Sequence, residues 1–169
     1  MYETSGRKPI EVGGSLWGKT EIESKSQTES VAQILHSTAD NLAQIINKSL
    51  LSGRYPIDKV YLKVIKNDLK IIDTNIFNEV ESLLTSDEFK YIDAFVNTIK
   101  HQKIVDHNWK VDSKRPFSQN AIQFKGFDYK GNTYPAMWSD EIIGPIRGKI
   151  IDLILNIGNS MNNYLRNIQ

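Results

Sequence analysis

Apolar residues recur along most of this chain at the spacing of a helical stripe. Between Ser26 and Gly53 they fall at every third or fourth position, and the same spacing returns in four later segments. The expected helices are 28–52, 57–72, a shorter one within 75–86, 87–104 and 141–167. Ser26 or Thr28 is expected to cap the first helix and Ser86 the fourth, because a hydroxyl can accept from the free N–H groups there.

The spacing of the apolar residues changes before the last predicted helix. The segment "AIQFKGFDYKGNTYPAM" alternates apolar and polar residues around "KGN", which predicts a β-hairpin near 120–136 with a Gly-Asn turn. Pro145 follows, and it should kink the last helix or mark its start. We therefore expect an all-α fold, a bundle of four to five helices with a small β-hairpin inserted before the last helix.

The first 26 residues differ from the rest in composition. They are rich in Gly, Ser, Thr and Lys and carry few apolar residues. Residues 1–26 are therefore expected to form an extended N-terminal arm. Residues 27–169 should form a single domain, because a chain of this length is about the size of one domain.

Composition narrows the classes of function. The 21 Lys and Arg residues against 20 Asp and Glu residues leave a net charge of +1, so the whole chain offers no field that attracts nucleic acid or an anionic membrane. The lack of cysteine excludes disulfides, thiol chemistry and cysteine-ligated zinc. The apolar run "IIDLILNIG" is too short to cross a bilayer, and the N-terminus shows no apolar signal core. A cytoplasmic protein without a membrane partner is the expectation.

Polar residues on two predicted helices are the candidates for a functional site. On the fourth helix, Asn97, Lys100 and His101 lie within about one turn, and Asn97 and His101 share one face. On the first, His36 and Asp40 form a polar ridge in which the aspartate can fix the histidine tautomer. Alternatively, His36 and Asp40 form a solvated surface pair that adds little to the stability of the helix. No zinc or di-iron motif is present, so no metal and no other cofactor is expected.

Aromatic and basic residues alternate around the predicted hairpin. Such a surface can follow a nucleic-acid backbone and stack bases, or its aromatic rings can pack the hairpin onto the helices. The neutral charge of the chain favours packing. The aromatic residues concerned are Trp109, Phe117, Phe124, Phe127, Tyr129, Tyr134 and Trp138.

The segment "FVNTIKHQ" resembles the HEPN superfamily. A late helix with Asn-x-x-Lys-His, then a short polar insert and a closing helix, is similar to an uncharacterised HEPN-like branch in which a Phe-x-x-Phe-x-Tyr-x-Gly-x-x-Tyr hairpin follows. Here that hairpin is Phe124, Phe127, Tyr129, Gly131 and Tyr134. The resemblance covers roughly residues 27–168.

The resemblance implies a helical domain of prokaryotic toxin–antitoxin, CRISPR or phage-defence systems. Active members carry Arg-Asn-x-x-x-His and many cleave RNA without metal. The motif Asn falls on Asn97, the His on His101 and the Arg on Val96. In the implied reaction a ribose 2′-hydroxyl attacks the phosphate, the histidine moves the proton and the arginine stabilises the phosphoryl oxygens. Val96 cannot do this, and Lys100 lacks the bidentate geometry of arginine.

A degenerate ribonuclease site is therefore the expectation, in a domain that acts by binding or dimerisation. The alternatives are an active metal-independent endoribonuclease that uses His101 with Lys100 or a remote arginine, and a helical immunity or adaptor module. The resemblance implies a homodimer with His101 near the two-fold axis, and RNA or a protein from the same operon as a further partner. A vestigial His101 should be half-buried in a polar cleft and bonded to Asn97, His36 or Asp40.

Overall fold

Helices make up most of the part of the chain that the computed structural model describes, residues 14–101, 105–114 and 122–168. They are α1 (Gly14–Ser49), α2 (Leu62–Ile72), α3 (Thr74–Thr85), α4 (Asp87–Lys100), the short α5 (Ser139–Glu141) and α6 (Arg147–Asn167). The strands are β1 (His107–Trp109), β2 (Ile122–Phe124), β3 (Phe127–Tyr129), β4 (Asn132–Tyr134) and β5 (Met137–Trp138). A predominantly helical fold with antiparallel strands before the last helix is confirmed. None of the described helices is long and apolar enough to cross a membrane.

The hydrophobic core lies among the five long helices. α1 packs against α2, α4 and α6, and α3 contacts the same three helices. Each long helix contributes a fully buried isoleucine, and these are Ile46, Ile65, Ile76, Ile92 and Ile150. Burying a side chain of this size contributes about 1.5–3 kcal/mol. The packing of amphipathic faces therefore stabilises the helices more than their intrinsic propensity does.

α1 begins well before its predicted start. Gly14 is its first residue, so residues 14–26 are helical and the expectation of an extended arm is wrong for them; residues 1–13 lie outside the described part. Thr28 is fully buried within α1, and its hydroxyl donates to the carbonyl oxygen four residues earlier at 2.8 Å. Such a bond is typical of a threonine in the middle of a helix. Neither Thr28 nor Ser26 is a cap.

A hydrogen-bonded loop joins α1 to α2. The buried Asn47 side chain donates to the Tyr55 carbonyl oxygen at 2.9 Å and accepts from the Tyr55 N–H at 3.1 Å. The helix predicted over 57–72 is shorter in the structure, because Ile57–Lys59 form only a 3-10 turn and α2 begins at Leu62. α2 therefore begins more than one turn later than predicted, after this hydrogen-bonded loop.

Side-chain caps define the starts of α3 and α4. The Asp73 carboxylate accepts from the N–H groups of Asn75 and Ile76, and the Ser86 hydroxyl oxygen accepts from the Phe89 N–H at 3.2 Å. The prediction of Ser86 as a cap is confirmed. Each cap replaces hydrogen bonds that the first turn of a helix lacks, an effect worth about 1 kcal/mol.

The five strands form two sheets rather than one hairpin. One is antiparallel in the order β1-β2-β5, and the other is the β3-β4 hairpin. The hairpin turn is Lys130-Gly131, with φ values of 49° and 80°, and Asn132 pairs with Tyr129. The predicted Gly-Asn turn is thus wrong by one residue. Two positive φ values match the twist of the flanking strands, and glycine adopts such a value without strain.

Aromatic rings attach both sheets to α4. Phe95 of α4 meets Phe124 of β2 edge-to-face with 5.1 Å between centroids. Phe127 of β3 stacks on Tyr134 of β4 at 5.2 Å and meets Tyr91 of α4 edge-to-face at 5.6 Å. Pairs in these geometries add about 0.5–1.5 kcal/mol to simple area burial. For these rings the prediction of packing onto the helices is confirmed.

A π-helical turn, Ile142–Ile146, precedes α6 and contains Pro145. It joins α5 directly to α6, so Pro145 does not mark the start of the helical segment. Proline lacks an N–H and crowds the preceding turn of an α-helix. The wider π-turn accommodates it.

Candidate functional site

Polar side chains from three helices meet around the carboxylate of Asp93. His36 on α1 places Nε2 3.2 Å from Asp93 Oδ1, and Lys63 on α2 places Nζ 3.1 Å from Asp93 Oδ2. A carboxylate only accepts, so His36 Nε2 carries the proton of this bond. Asn97, one turn further along α4, donates Nδ2 to Asp93 Oδ1 at 3.0 Å. We call His36, Asp40, Lys63, Asp93 and Asn97 the Asp93 cluster.

The donors of the Asp93 cluster stabilise the ionised carboxylate. The hydrogen bond from His36 is the main reason that the pKa of Asp93 is lowered to about 2, and the bond and charge of Lys63 lower it further. Partial burial opposes this shift, because it disfavours a charged group. A carboxylate of such low pKa is a poor proton acceptor near neutral pH. Asp93 therefore joins α1, α2 and α4 rather than acting as a base.

Both ring nitrogens of His36 face carboxylates. Nδ1 lies 3.5 Å from Asp40 Oδ2, within ion-pair range but without hydrogen-bond geometry, and this nitrogen is closed off from solvent. A general base must present a free nitrogen to its substrate, and the His36 ring offers none in this arrangement. The His36–Asp40 contact predicted from the sequence exists, but the hydrogen-bonded partner of His36 is Asp93.

An open cavity of about 190 Å³ lies over the Asp93 cluster. Its lining includes three of the residues that the sequence predicts as candidates for a functional site: His36, Asp40 and Asn97. The remaining surface is partly apolar, with Leu62 and Phe89 among the contributors. A volume of this size is below the roughly 300–1,000 Å³ of sites that enclose a drug-sized molecule. The cavity is therefore too small to enclose an organic substrate of that size.

Lys100 and His101 lie away from this cavity. Lys100 is the last residue of α4 and His101 is its C-cap, and both are exposed. The helix predicted to residue 104 thus ends earlier, although residues 102–104 themselves lie outside the described part. The His101 ring has no hydrogen bond with a described residue. The expectation of a half-buried His101 bonded to Asn97, His36 or Asp40 is wrong.

Val96 lies neither in the Asp93 cluster nor at the exposed end of α4. Its side chain is 1% exposed and belongs to the hydrophobic core. The three positions that the HEPN resemblance aligns with Arg, Asn and His therefore lie in the core, in the Asp93 cluster and at the exposed end of α4. Within one chain they do not converge on a common point.

Asp93 and Lys63 are the residues that sequence reasoning missed. Asp93 precedes Asn97 by four positions on the same helix, so its place on the same face was available from the spacing. Lys63 carried no such signal, because a lysine on a helix is normally solvated.

The described residues hold no group of three or more His, Cys, Asp or Glu side chains arranged to bind a metal ion. Comparison of the chain with models of protein families, with curated protein sequences and with solved structures gave no match.

Proposed function

We propose that this chain is a HEPN-like helical domain of a prokaryotic defence or toxin–antitoxin type system, and that it acts by binding rather than by cleaving RNA. The proposal rests on the sequence resemblance together with the geometry of α4. Asn97 is engaged by Asp93, His101 is exposed at the helix end and Val96 is buried. A reaction that needs these positions to act together therefore has no assembled site in a single chain.

The Asp93 cluster does not supply a replacement site. Its carboxylate is satisfied by three donors, and the His36 ring is held between Asp40 and Asp93. Proton transfer to or from a substrate would require breaking these contacts first. We assign the cluster the role of fixing the relative positions of α1, α2 and α4.

Self-association is the second part of the proposal. Ile34 and Ile45 on α1 are 63% and 57% exposed, and their spacing of eleven residues places them on one side of the helix. A second copy that covers both isoleucines removes their side chains from water, which favours association. His101, being exposed, is free to face a second copy across a two-fold axis, as the resemblance implies. A protein from the same operon is the alternative occupant.

Light scattering tests self-association. At tens of micromolar, the expected mass is about twice the 19.3 kDa of one chain. Replacing Ile34 and Ile45 together by Ser should shift the protein to monomer. A mass of 19.3 kDa for the unchanged protein would overturn the proposed homodimer.

An active ribonuclease remains the second candidate, because Lys100 and His101 are adjacent and accessible. In this case His101 moves the proton and Lys100 stabilises phosphoryl charge. Loss of one such charge-stabilising donor typically costs about 10²–10³ in rate, so any activity should be weak.

Cleavage of single-stranded RNA in the presence of a chelator separates the two candidates. We expect no cleavage above a buffer blank. Cleavage that persists with chelator, disappears in His101→Ala and slows in Lys100→Ala would overturn the binding proposal. His36→Ala is the matched control, because it changes a histidine of the Asp93 cluster and should leave such cleavage intact wherever the fold survives.

A further inference from the structure

The outward side of α1 carries a row of residues without charge. Positions 27, 31, 34, 38, 41 and 45 alternate in spacing between four and three residues, as the contact positions of two paired helices do. They are Gln27, Val31, Ile34, Thr38, Asn41 and Ile45, and we call them the α1 stripe. Charged residues make up 24% of the chain but are absent from these positions. Depletion of charge is the compositional mark of the centre of a protein interface.

The α1 stripe is accessible to a partner. Four of its six residues are exposed and the other two are half-buried. His36 lies on a different side of α1, because it contacts Asp93 of α4, so a partner on the stripe leaves the Asp93 cluster untouched. An uncharged stripe is best matched by an uncharged surface, since a charge buried against it would have no counter-charge. A second copy of the same stripe meets this condition.

One antiparallel register of two α1 helices sets apolar residues against apolar residues. Its two-fold axis is level with the Ala39–Asp40 peptide. This axis brings Ile34 against Ile45 of the second copy, twice by symmetry, and it brings Thr38 against Asn41. A shift by one heptad sets Ile34 against Thr38 in one direction, or Ile45 against Asn41 in the other. Both shifts lose the contacts between isoleucines.

The charge of Lys48, the next position after the α1 stripe, favours the antiparallel pair. A parallel pair would bring Lys48 beside Lys48 of the second copy and would align the two helix dipoles, and both effects are repulsive. The antiparallel register instead places Lys48 beside Val31 of the second copy. An open cavity of about 430 Å³ lies there, lined by Ser26, Gln27, Ser30, Val31 and Ile143. The lysine stem can pack in it while the ammonium stays in water.

We propose that two copies of this chain pair through their α1 stripes, antiparallel, with the two-fold axis level with the Ala39–Asp40 peptide. The inference rests on the self-association proposed above and names its contact surface and register. Ile34 and Ile45 of the two copies form the apolar ends of this contact. At its centre the Asn41 amide donates to the Thr38 hydroxyl oxygen of the second copy.

Cross-links between single cysteines test the register, because the chain has no cysteine of its own. Ile34→Cys and Ile45→Cys are purified separately, one of them labelled with ¹⁵N, and are then mixed and oxidised. Facing positions approach the Cα separation of a disulfide, about 4.4–6.8 Å, whereas two copies of position 34 lie about 16 Å apart along an antiparallel pair. We expect disulfides between the two variants and few within either, as counted by mass spectrometry.

The opposite pattern of cross-links would overturn the register. Disulfides that form mainly within each variant would indicate a parallel pair. Ile71→Cys is the matched control, because Ile71 is an 87% exposed isoleucine on α2. It should form a disulfide with neither of the α1 variants. Equal cross-linking of all three variants would show that the disulfides arise from random collision and would contradict the α1 contact.

Opposite charges at position 41 test the two-fold axis by a gain of binding. Two copies of Asn41 lie within about one turn of each other across this axis. Asn41→Asp and Asn41→Lys each bring like charges together, and each alone should weaken self-association at least about tenfold. An equal mixture of the two should regain the affinity of the unchanged protein. Asn162→Asp and Asn162→Lys change an exposed asparagine of α6 and should leave self-association unchanged. Two position 41 variants that associate normally on their own would contradict the axis.

Light scattering over a range of concentrations separates this inference from self-association itself. A contact of one helix from each chain is smaller than a standard interface of about 800 Å² per partner, so we expect Kd on the order of 10 μM. A mass of 19.3 kDa at every concentration would remove both proposals. A dimer that shows neither the disulfide between positions 34 and 45 nor any response to charge at position 41 would keep self-association and remove the α1 contact.

Discussion

His36 and Asp93, which are 57 positions apart in the sequence, are joined by a 3.2 Å contact between Nε2 and Oδ1. This contact links the middle of α1 to α4, and Lys63 adds α2 to the same carboxylate. The side chain of Asp93 is 25% exposed, so the interaction is only partly screened by water. Changes to the Asp93 carboxylate should therefore alter the free energy of unfolding, and this expectation does not require Asp93 to have a catalytic role.

Replacing Asp93 by Asn should destabilise the protein. The variant keeps the shape of the side chain but loses the charge that His36 and Lys63 approach. Hydrogen bonds to charged groups contribute about 1.5–3 kcal/mol, and we expect a loss of about 2–3 kcal/mol in the free energy of unfolding. Urea denaturation near neutral pH measures it. Asp152→Asn, on the exposed side of α6, is the control and should change stability by less than about 0.5 kcal/mol.

Acid should remove the contribution of Asp93. In an unfolded chain an aspartate titrates near about 3.9, whereas in the folded protein the pKa of Asp93 is about 2. Between these values the unfolded state binds more protons than the folded state, so stability falls as the pH drops through this window. The contribution, about 2–3 kcal/mol above the window, is absent below the folded-state pKa.

Comparison of the unchanged protein with Asp93→Asn isolates this effect from other titrating groups. Urea denaturation from about pH 6 to about pH 2 covers the window. The stability difference between the two proteins should narrow as the pH falls. A difference that stays constant over this range would show that Asp93 is not the titrating group.

Periodicity located the helices of this chain better than it located their buried faces. Ile34 and Ile45 fit the predicted stripe of α1 but are exposed. Leu35, Leu42 and Ile46 of that stripe are buried, and the rest of the buried face is made up of the alanines Ala32, Ala39 and Ala43. Alanine carries a weak hydrophobic signal, and a close approach between helices selects it for its small size. How closely two helices approach depends on tertiary packing, and the spacing of apolar residues within one helix does not predict it.

The candidate site was predictable only where its residues share a helix. Asp93 and Asn97 are four positions apart, and their proximity follows from helical geometry alone. The approach of His36 and Lys63 depends on how α1, α2 and α4 pack, which the spacing within each helix does not specify. The exposure of His101 depends on where α4 ends, and helix ends are the least determined feature of a periodic pattern.

Two histidines on these helices should respond differently to alanine. His36 is 12% exposed by its side chain and donates to a carboxylate, so His36→Ala should cost about 1.5–3 kcal/mol. His101 is exposed without a described hydrogen-bond partner, so His101→Ala should change stability by less than about 0.5 kcal/mol. Thermal and urea unfolding of both variants compare them directly. Equal losses would contradict the placement of the two rings.

Two glycines form a second matched pair. A Cβ added at Gly126 would lie 2.9 Å from the Tyr134 carbonyl oxygen, whereas one at Gly158 in α6 meets nothing within 4 Å. Gly126→Ala should therefore destabilise by about 1–3 kcal/mol, because backbone must shift to relieve the contact. Gly158→Ala should stabilise by about 0.5–1 kcal/mol through the higher helix propensity of alanine. Stabilisation by Gly126→Ala would contradict the close approach of the strands.

An arginine introduced at position 96, where the HEPN resemblance would place the motif Arg, should damage the fold without creating a nuclease. Val96 is in the core, so Val96→Arg places a guanidinium where it has no partner, at a cost of at least about 3 kcal/mol. Urea denaturation measures this loss. Lys100→Arg is the matched control: at an exposed helix end it adds the same group and should change stability by less than about 0.5 kcal/mol. A stable Val96→Arg protein that gains metal-independent RNA cleavage would show that position 96 reaches the motif histidine, against the geometry of α4.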